Sequence, residues 1–205
     1  MKKFILAVSL LFAASVAHAD DMLGPDALIK NTAEDVLSIV KQDKDLQAGD
    51  KQKLIALVEA KVLPHFDFDR MTRLAVGRGW RTATPDQRKQ LVEQFRTLLV
   101  RTYTNAFTRF QNQTVDVKTP KYAPTDEEVT VRTTINKPGA QSISVDYEME
   151  KTASGWKAFD LTVEGASLVS TYRGSFDDQI RQSGIDGLIK SLIEKNQQAA
   201  VKAGK

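Results

Sequence analysis

Cysteine is absent from this 205-residue chain. That excludes disulfides, thiolate nucleophiles and metal sites built on sulfur. Histidine is nearly absent too, with only His18 and His65. A serine hydrolase of the usual kind needs a Gly-x-Ser-x-Gly elbow and a histidine base, and the elbow is missing. The common zinc sites draw on several His or Cys ligands, which two histidines cannot supply. Gly77-x-Gly79 lacks the last glycine of a dinucleotide loop and follows a helical pattern rather than a strand. There is no Walker loop, no internal repeat and no low-complexity linker. No run of apolar residues reaches the roughly 20 that span a bilayer.

The longest apolar run lies at the start, from Phe4 to Val16, broken only by Ser9 and Ser15. Lys2 and Lys3 precede it and Ala17-His18-Ala19 follows it, which is the pattern of a cleaved signal peptide over residues 1–19. Cleavage would leave 27 basic against 26 acidic residues, so the formal net charge of +3 falls to +1. It would also leave His65 as the only histidine. A nucleic-acid partner calls for basic residues massed on one face, and no such block is present. The mature chain, about 186 residues, is long enough to bury a core as one domain. The expected organisation is a single α+β domain over 20–196 and a flexible tail over 197–205.

Hydrophobic spacing divides that domain. Gly24-Pro25-Asp26 opens a helix with Leu28, Val36, Leu37 and Val40 on one face. Asp50 is placed to cap a second, carrying Leu54, Ile55, Val58, Val62 and Leu63, and Pro64 stops it. A short helix follows from Asp67 to Ala75, closed by Gly77. Thr84-Pro85-Asp86-Gln87 is a capping box. It begins a long helix, expected to reach Phe110, with Leu91, Phe95, Leu98, Leu99, Tyr103, Ala106, Phe107 and Phe110 on one stripe.

The period then drops to two. Strands are expected over 114–119, 127–136, 142–150 and 156–163, with turns at Lys137-Pro138-Gly139 and Ala153-Ser154-Gly155. Val129, Val131, Ile135, Ile143, Val145, Tyr147 and Met149 would face inward, and Glu128, Thr130, Arg132, Ser144, Asp146 and Glu148 outward. In the last strand the apolar positions change phase between Ala158 and Phe159. A bulge there, or cover on both faces, would account for it. Two closing helices, split at Gly184, complete the chain.

Carboxylates are the remaining candidates for chemistry. His65, Asp67 and Asp69 could form an acid/base cluster, but Asp67 is better read as a helix cap and Asp69 as solvated. Asp160 is expected to pair with an arginine such as Arg173. Asp177 and Asp178 read as a wet helix face. The surplus is apolar: the long helix and the sheet both turn large side chains inward. That fits an ordinary packed core, and equally a curved sheet that leaves an apolar cavity under its helices.

Two stretches resemble a known family. The first is Gly77-Arg78-Gly79-Trp80-Arg81-Thr82-Ala83-Thr84-Pro85-Asp86-Gln87-Arg88, running on through Phe95, Leu98, Leu99 and Thr102-Tyr103. The second starts at Trp156-Lys157-Ala158-Phe159-Asp160 and passes through Val163-Glu164-Gly165-Ala166-Ser167-Leu168-Val169, Tyr172-Arg173 and Phe176 to Gly184-Ile185-Asp186-Gly187-Leu188-Ile189. Both resemble the MlaC family of periplasmic phospholipid-binding proteins, also called toluene-tolerance or ABC-transport auxiliary proteins. Ala158 and Ala166 stand where larger aliphatic residues are usual.

The resemblance implies an α+β fold, NTF2-like in general shape: a curved antiparallel meander of four or so strands, helices over it, and an apolar cavity between. It implies a soluble periplasmic carrier that moves phospholipid between two membranes and maintains outer-membrane lipid asymmetry, not an enzyme. The implied partners are phospholipid cargo, the MlaD-type ring of an inner-membrane ABC transporter and an outer-membrane MlaA-type lipoprotein with a porin. A monomer without cofactor is expected. Periodicity and resemblance together nominate Phe95, Leu98, Leu99, Tyr103, Phe107, Val145, Tyr147, Met149, Trp156, Phe159, Val163 and Val169 as the cavity lining. The alternatives are a carboxylate-dependent lipid hydrolase and a non-catalytic protein-interaction module.

Overall fold

Most of the helices start at a side chain that accepts from their free N–H groups or at a proline that removes one of those groups. The computed structural model describes residues 23–107 and 113–203, and the side chains of 105–107 and 200–203 lie outside that description. The expected signal peptide, Phe110 and the side chains of Ala106 and Phe107 therefore fall outside the described residues. Pro25 occupies the first turn of α1 (Pro25–Gln42). Asp43 accepts from the amides of Asp45 and Leu46 at 2.8 and 3.1 Å and caps α2 (Lys44–Gln47). Asp50 does the same for α3 (Lys51–Lys61), and Asp67 for α4 (Phe68–Val76), at 2.8 Å from the Arg70 amide. Gly77, at φ 60°, ends α4. After the single turn of α5 (Gly79–Thr82), Thr84 and Gln87 exchange hydrogen bonds of 3.0 and 3.2 Å at the start of α6 (Pro85–Phe107). That is the capping box read from the sequence. Helices α2 and α5 went unforeseen because one turn is too short to show a period.

Five strands run in the order β1 (Thr114–Lys118), β2 (Glu128–Asn136), β3 (Ile143–Thr152), β4 (Gly155–Val163) and β5 (Ala166–Ser167). Each neighbour pair is antiparallel. The sheet is thus a meander, with β5 a two-residue addition that leads directly into α7 (Leu168–Ala203). Helix α7 is broken at Gly184, whose φ of 71° and ψ of −176° only glycine tolerates readily. The expected break between two closing helices is there. The helical backbone continues to Ala203, past the expected start of the tail.

Two sequence expectations on the sheet need correction or refinement. Ile143 was expected inward and is 42% exposed. Its parity is right, since it pairs with Ile135 and so lies in the row of Val115. That row is the last on the sheet, at its open end. The phase change in β4 is a bulge: Glu148 faces Asp160 and Met149 faces Ala158, leaving Phe159 between them. Trp156, Ala158 and Phe159 are all buried, but in different clusters.

Those clusters define the layers. Helices α4, α6 and α7 bury Met71, Ala75, Leu91, Phe95, Leu99, Phe176, Leu188 and Leu192 around Phe159. Helix α1 lays Ile29 over Val129, Val131, Met149, Trp156 and Ala158. Helices α1 to α3 form a third cluster from Val36, Val40, Leu46, Leu54 and Leu57. Phe66 packs against the first two and bridges to Ala158, with the Asp67 amide donating to the Ala158 carbonyl at 2.9 Å. Arg70 fastens α4 to the sheet through Glu128 at 2.5 Å and Glu150 at 2.6 Å, and its guanidinium lies 3.5 Å from the Phe159 ring centre. Among the described residues, no helix is long and apolar enough to cross a membrane.

Candidate functional site

Side chains at alternate positions of a strand share a face, so cross-strand partners form rows. Inside the end row of Val115, Ile135 and the exposed Ile143, three rows make the covered part of the apolar face. Val129, Met149 and Ala158 form the first, and α1 seals it. Val131, Tyr147 and Leu161 form the second. Val131 is completely buried, but Tyr147 and Leu161 keep accessible surface. Val117, Thr133, Val145 and Val163 form the third, where Thr133 is buried and its Oγ1 donates to the Val145 carbonyl at 2.8 Å. Val163 again keeps surface. Sealing is therefore complete in the row beneath α1 and looser in the other two, where Val117 on β1 and Leu161 and Val163 on β4 all keep surface.

Tyr147 shows what kind of surface this is. Burial pushes its phenol up to about 12, because protein atoms in place of water disfavour the phenolate. The same side chain nevertheless retains accessible area. The residue is thus half-buried, with protein atoms around it on the apolar face. On the helical side Leu98, Tyr103 and Tyr172 also keep partial exposure beside the buried Phe95 and Leu99. The Tyr172 phenol is likewise pushed up to about 12, by burial first and then by Tyr103 beside it. Its ring meets Phe95 edge-on with centroids 5.0 Å apart, and Phe176 meets Phe95 the same way at 5.2 Å.

The nominated lining residues thus divide by environment. Phe95, Leu99, Phe159 and Val169 belong to the helical cluster; Met149 and Trp156 belong to the cluster under α1; Val145 is 7% exposed. Leu98, Tyr103, Tyr147 and Val163 are the nominees with surface to offer a ligand. Helix α6 reaches Phe107, whose side chain lies outside the described residues. Leu161 and Tyr172 share these surroundings and were not nominated. Leu161 could have been found by its parity with Val163, and Tyr172 by helical spacing from Leu168, Val169 and Phe176.

The polar candidates have structural occupations. Asp67 caps α4 and Asp69 is exposed. Burial, with Lys157 nearby, holds His65 below its ordinary range. Asp160 does not pair with Arg173, as the sequence suggested. It accepts from Ser167 Oγ at 2.5 Å, the Leu161 amide at 2.8 Å and the Val169 amide at 3.0 Å. The hairpin into β5 brings the start of α7 beside it, so the Ser167 hydroxyl and a free helical N–H group occupy it in place of an arginine. Asp177 and Asp178 both pair with Arg181. A separate open groove of about 610 Å³ is lined by Lys118, Lys121, Tyr122, Glu128, Arg132 and Glu148 among others. Its charged lining suits no acyl chain, and it shares no residue with the nominated cavity.

Known proteins resemble this chain along nearly all of its length. A family model described as MlaC protein matches residues 30–194. The intermembrane phospholipid transport system binding protein MlaC of Haemophilus influenzae is 22% identical over 200 residues, spanning 96% of this chain and 90% of that one. The toluene tolerance protein ttg2D of Pseudomonas putida is 23% identical over 163 residues, spanning 79% and 75%. A phospholipid-binding protein from Ralstonia solanacearum, solved in complex with a phospholipid, is 40% identical with a TM-score of 0.81, covering 87% of this chain and 99% of its own. The fold, the order of the signature segments and these matches agree: the chain belongs to the MlaC family.

Proposed function

We propose that the mature protein is a periplasmic phospholipid carrier, which holds acyl chains against the apolar face of its sheet and ferries the lipid between the inner and outer membranes. The observation that carries this reading is the relative of the same fold, 40% identical and covered over 99% of its chain, that was solved with a phospholipid bound. The partly sealed rows around Tyr147, Leu161 and Val163 supply a matching environment in this chain. An MlaD-type ring would load or unload it at the inner membrane, and an MlaA-type lipoprotein with its porin at the outer. The name of the Haemophilus relative, an intermembrane transport binding protein, supports that placement.

The energetics call for a carrier. Moving acyl chains into water costs about 0.8 kcal/mol per methylene, so roughly thirty methylenes cost on the order of 24 kcal/mol. A protein lowers that barrier by keeping the chains dry, which needs no bond making. We therefore read the protein as non-catalytic.

Native mass spectrometry with lipid extraction tests the reading: purified protein should carry a two-chain phospholipid or take one up from vesicles. Protein that stays empty in both settings refutes it. A lysolipid product would favour a hydrolase, and a site that never accepts lipid would favour an interaction module. Val145→Glu places a charge on the dry face and should abolish loading; a folded V145E variant that loads normally would remove that row from the site.

A further inference from the structure

Most arginines of this protein have an acceptor. Among the described residues, Arg70, Arg96, Arg132 and Arg181 pair with carboxylates, and Arg88 and Arg101 donate to backbone carbonyls. The remaining arginines are Arg73, Arg78, Arg81 and Arg173, all exposed, and no hydrogen bond or ion pair reaches their guanidinium groups among the described residues. These four stand around one glycine. Arg73 lies one turn before Gly77, whose amide donates to the Arg73 carbonyl at 3.0 Å. Arg78 follows Gly77 directly, and the Arg81 amide donates to the Arg78 carbonyl at 3.2 Å. Arg173 comes from α7, and its Nε lies 3.4 Å from where a Cβ on Gly77 would stand. The basic face that the sequence did not show is thus assembled by the fold, from interspersed residues and one remote one. Nearby carboxylates do not neutralise it: Asp177 and Asp178 are held by Arg181, and Asp186 accepts from Gln87 at 2.7 Å. Like charges gathered without a counterion repel, so an anionic partner gains from meeting them.

We propose that the arginine patch around Gly77 is where the protein meets an anionic bilayer surface, its guanidinium groups engaging lipid phosphates. The choice of a lipid surface rests on the carrier reading, which places the protein between two membranes. Guanidinium forks match phosphate oxygens. A protein partner would call for a desolvated apolar centre, and the patch offers none. Leu74, Trp80 and Ile180, the apolar residues beside it, pack against the helical cluster. The exposed large apolar side chains, Leu23, Tyr122 and Ile143, belong to other parts of the molecule. A single small anion would need buried converging donors, whereas these side chains are exposed and come from separate elements. Each guanidinium near an anionic surface strengthens attachment about fivefold. Four together give a dissociation constant on the order of 1 mM, weak enough for a carrier that must leave again.

The test separates attachment from uptake. Mature protein is floated at low salt with vesicles of phosphatidylcholine alone, or of phosphatidylcholine with an equal part of phosphatidylglycerol, and native mass spectrometry reads lipid loading in the same samples. Wild type should float with the anionic vesicles only, and should be released as salt screens the charges. Arg81→Gln should lower co-flotation about fivefold. The triple variant Arg73→Gln, Arg78→Gln, Arg81→Gln should fall to the phosphatidylcholine background and melt near the wild-type temperature, since these side chains are exposed. A control with the same loss of charge elsewhere, Lys41→Gln, Lys44→Gln, Lys51→Gln, should float like wild type. Equal loss in the control and the patch variant would assign the effect to net charge and overturn the proposal. So would wild type that stays off anionic vesicles, which would leave an acidic protein face as the occupant. Wild type that loads lipid without floating overturns the docking surface and leaves the carrier reading intact. Wild type that floats but never loads lipid keeps the surface and overturns the carrier reading.

Discussion

Two regions of the molecule bury apolar side chains in opposite ways. Between α4, α6 and α7, Phe95, Phe176, Met71, Leu91, Leu188 and Leu192 have almost no accessible surface. On the sheet beneath β3 and β4, Tyr147, Leu161 and Val163 are equally inward in register, yet each keeps some. Apolar surface left uncovered forgoes stabilisation of about 25 cal/mol per Å². The helical cluster is therefore sealed while these rows stay incomplete, and on the proposed carrier reading cargo would complete them. The two regions should answer differently to mutation: the first in stability, the second in lipid loading.

The largest effect is expected in the helical cluster. Phe95→Ala removes a ring that meets Tyr172 and Phe176 edge-on, and should cost about 3–5 kcal/mol in denaturant unfolding. Whatever F95A protein remains folded should still load lipid. A small stability loss with a large loading loss would move Phe95 into the cavity and erase the contrast. Next comes Gly184→Ala. The backbone there, at φ 71° and ψ −176°, disfavours any side chain. The break lets the second half of α7 bury Leu188 and Leu192 in the same cluster. A cost of about 1–3 kcal/mol follows from the strain, read as a lowered melting temperature.

The loose region should invert the pattern. Leu161→Ala removes a side chain whose surroundings are already partly open, so it should cost about 1–2 kcal/mol, below the 2–5 usual for a sealed leucine. Its affinity for phospholipid should fall by a larger share than its stability, as measured by vesicle uptake at matched folded concentration. A full core-like destabilisation with unaltered uptake would show that Leu161 belongs to the packed core.

The sequence carried most of this fold because its signals are local. Thr84 and Gln87, Asp50 and Asp67 announce helix starts through short-range hydrogen bonds, and the alternation of β2 and β3 follows from the pleat. The bulge at Phe159 was visible as a phase slip. Less was legible where a residue's fate depends on what covers it. Ile143 has the parity of Val145, and only its position on the last row explains its exposure. Met149 and Tyr147 are two residues apart on one face, and the placement of α1 decides that one is sealed while the other is not. Asp160 was matched to the charge of Arg173, whereas the turn into α7 brings the Ser167 hydroxyl and the Val169 amide to it instead. Periodicity specifies the face; cover is a tertiary property.

The smallest effect concerns the seam between the two regions. His65 lies in the turn at Leu63–His65, one residue before Phe66, which packs against both the helical cluster and the cluster under α1. Burial first, and Lys157 second, hold its imidazole below the ordinary value. The folded state therefore favours neutral His65, and the unfolded chain binds the proton more readily. The corresponding stability is fully present above the unfolded pKa of about 6.5 and is lost as pH falls through the lowered folded value. Wild type should accordingly lose a small increment of stability on acidification from neutral pH toward 5, an increment missing in His65→Gln. The partial exposure of the side chain keeps that increment small. Because Phe66 touches both clusters, the proton should loosen both, and melting curves followed at Trp80 in the helical cluster and Trp156 under α1 should shift together. If only the Trp156 signal moved with pH, the two regions would be uncoupled at this seam, and the loosely sealed face could open without disturbing the packed one.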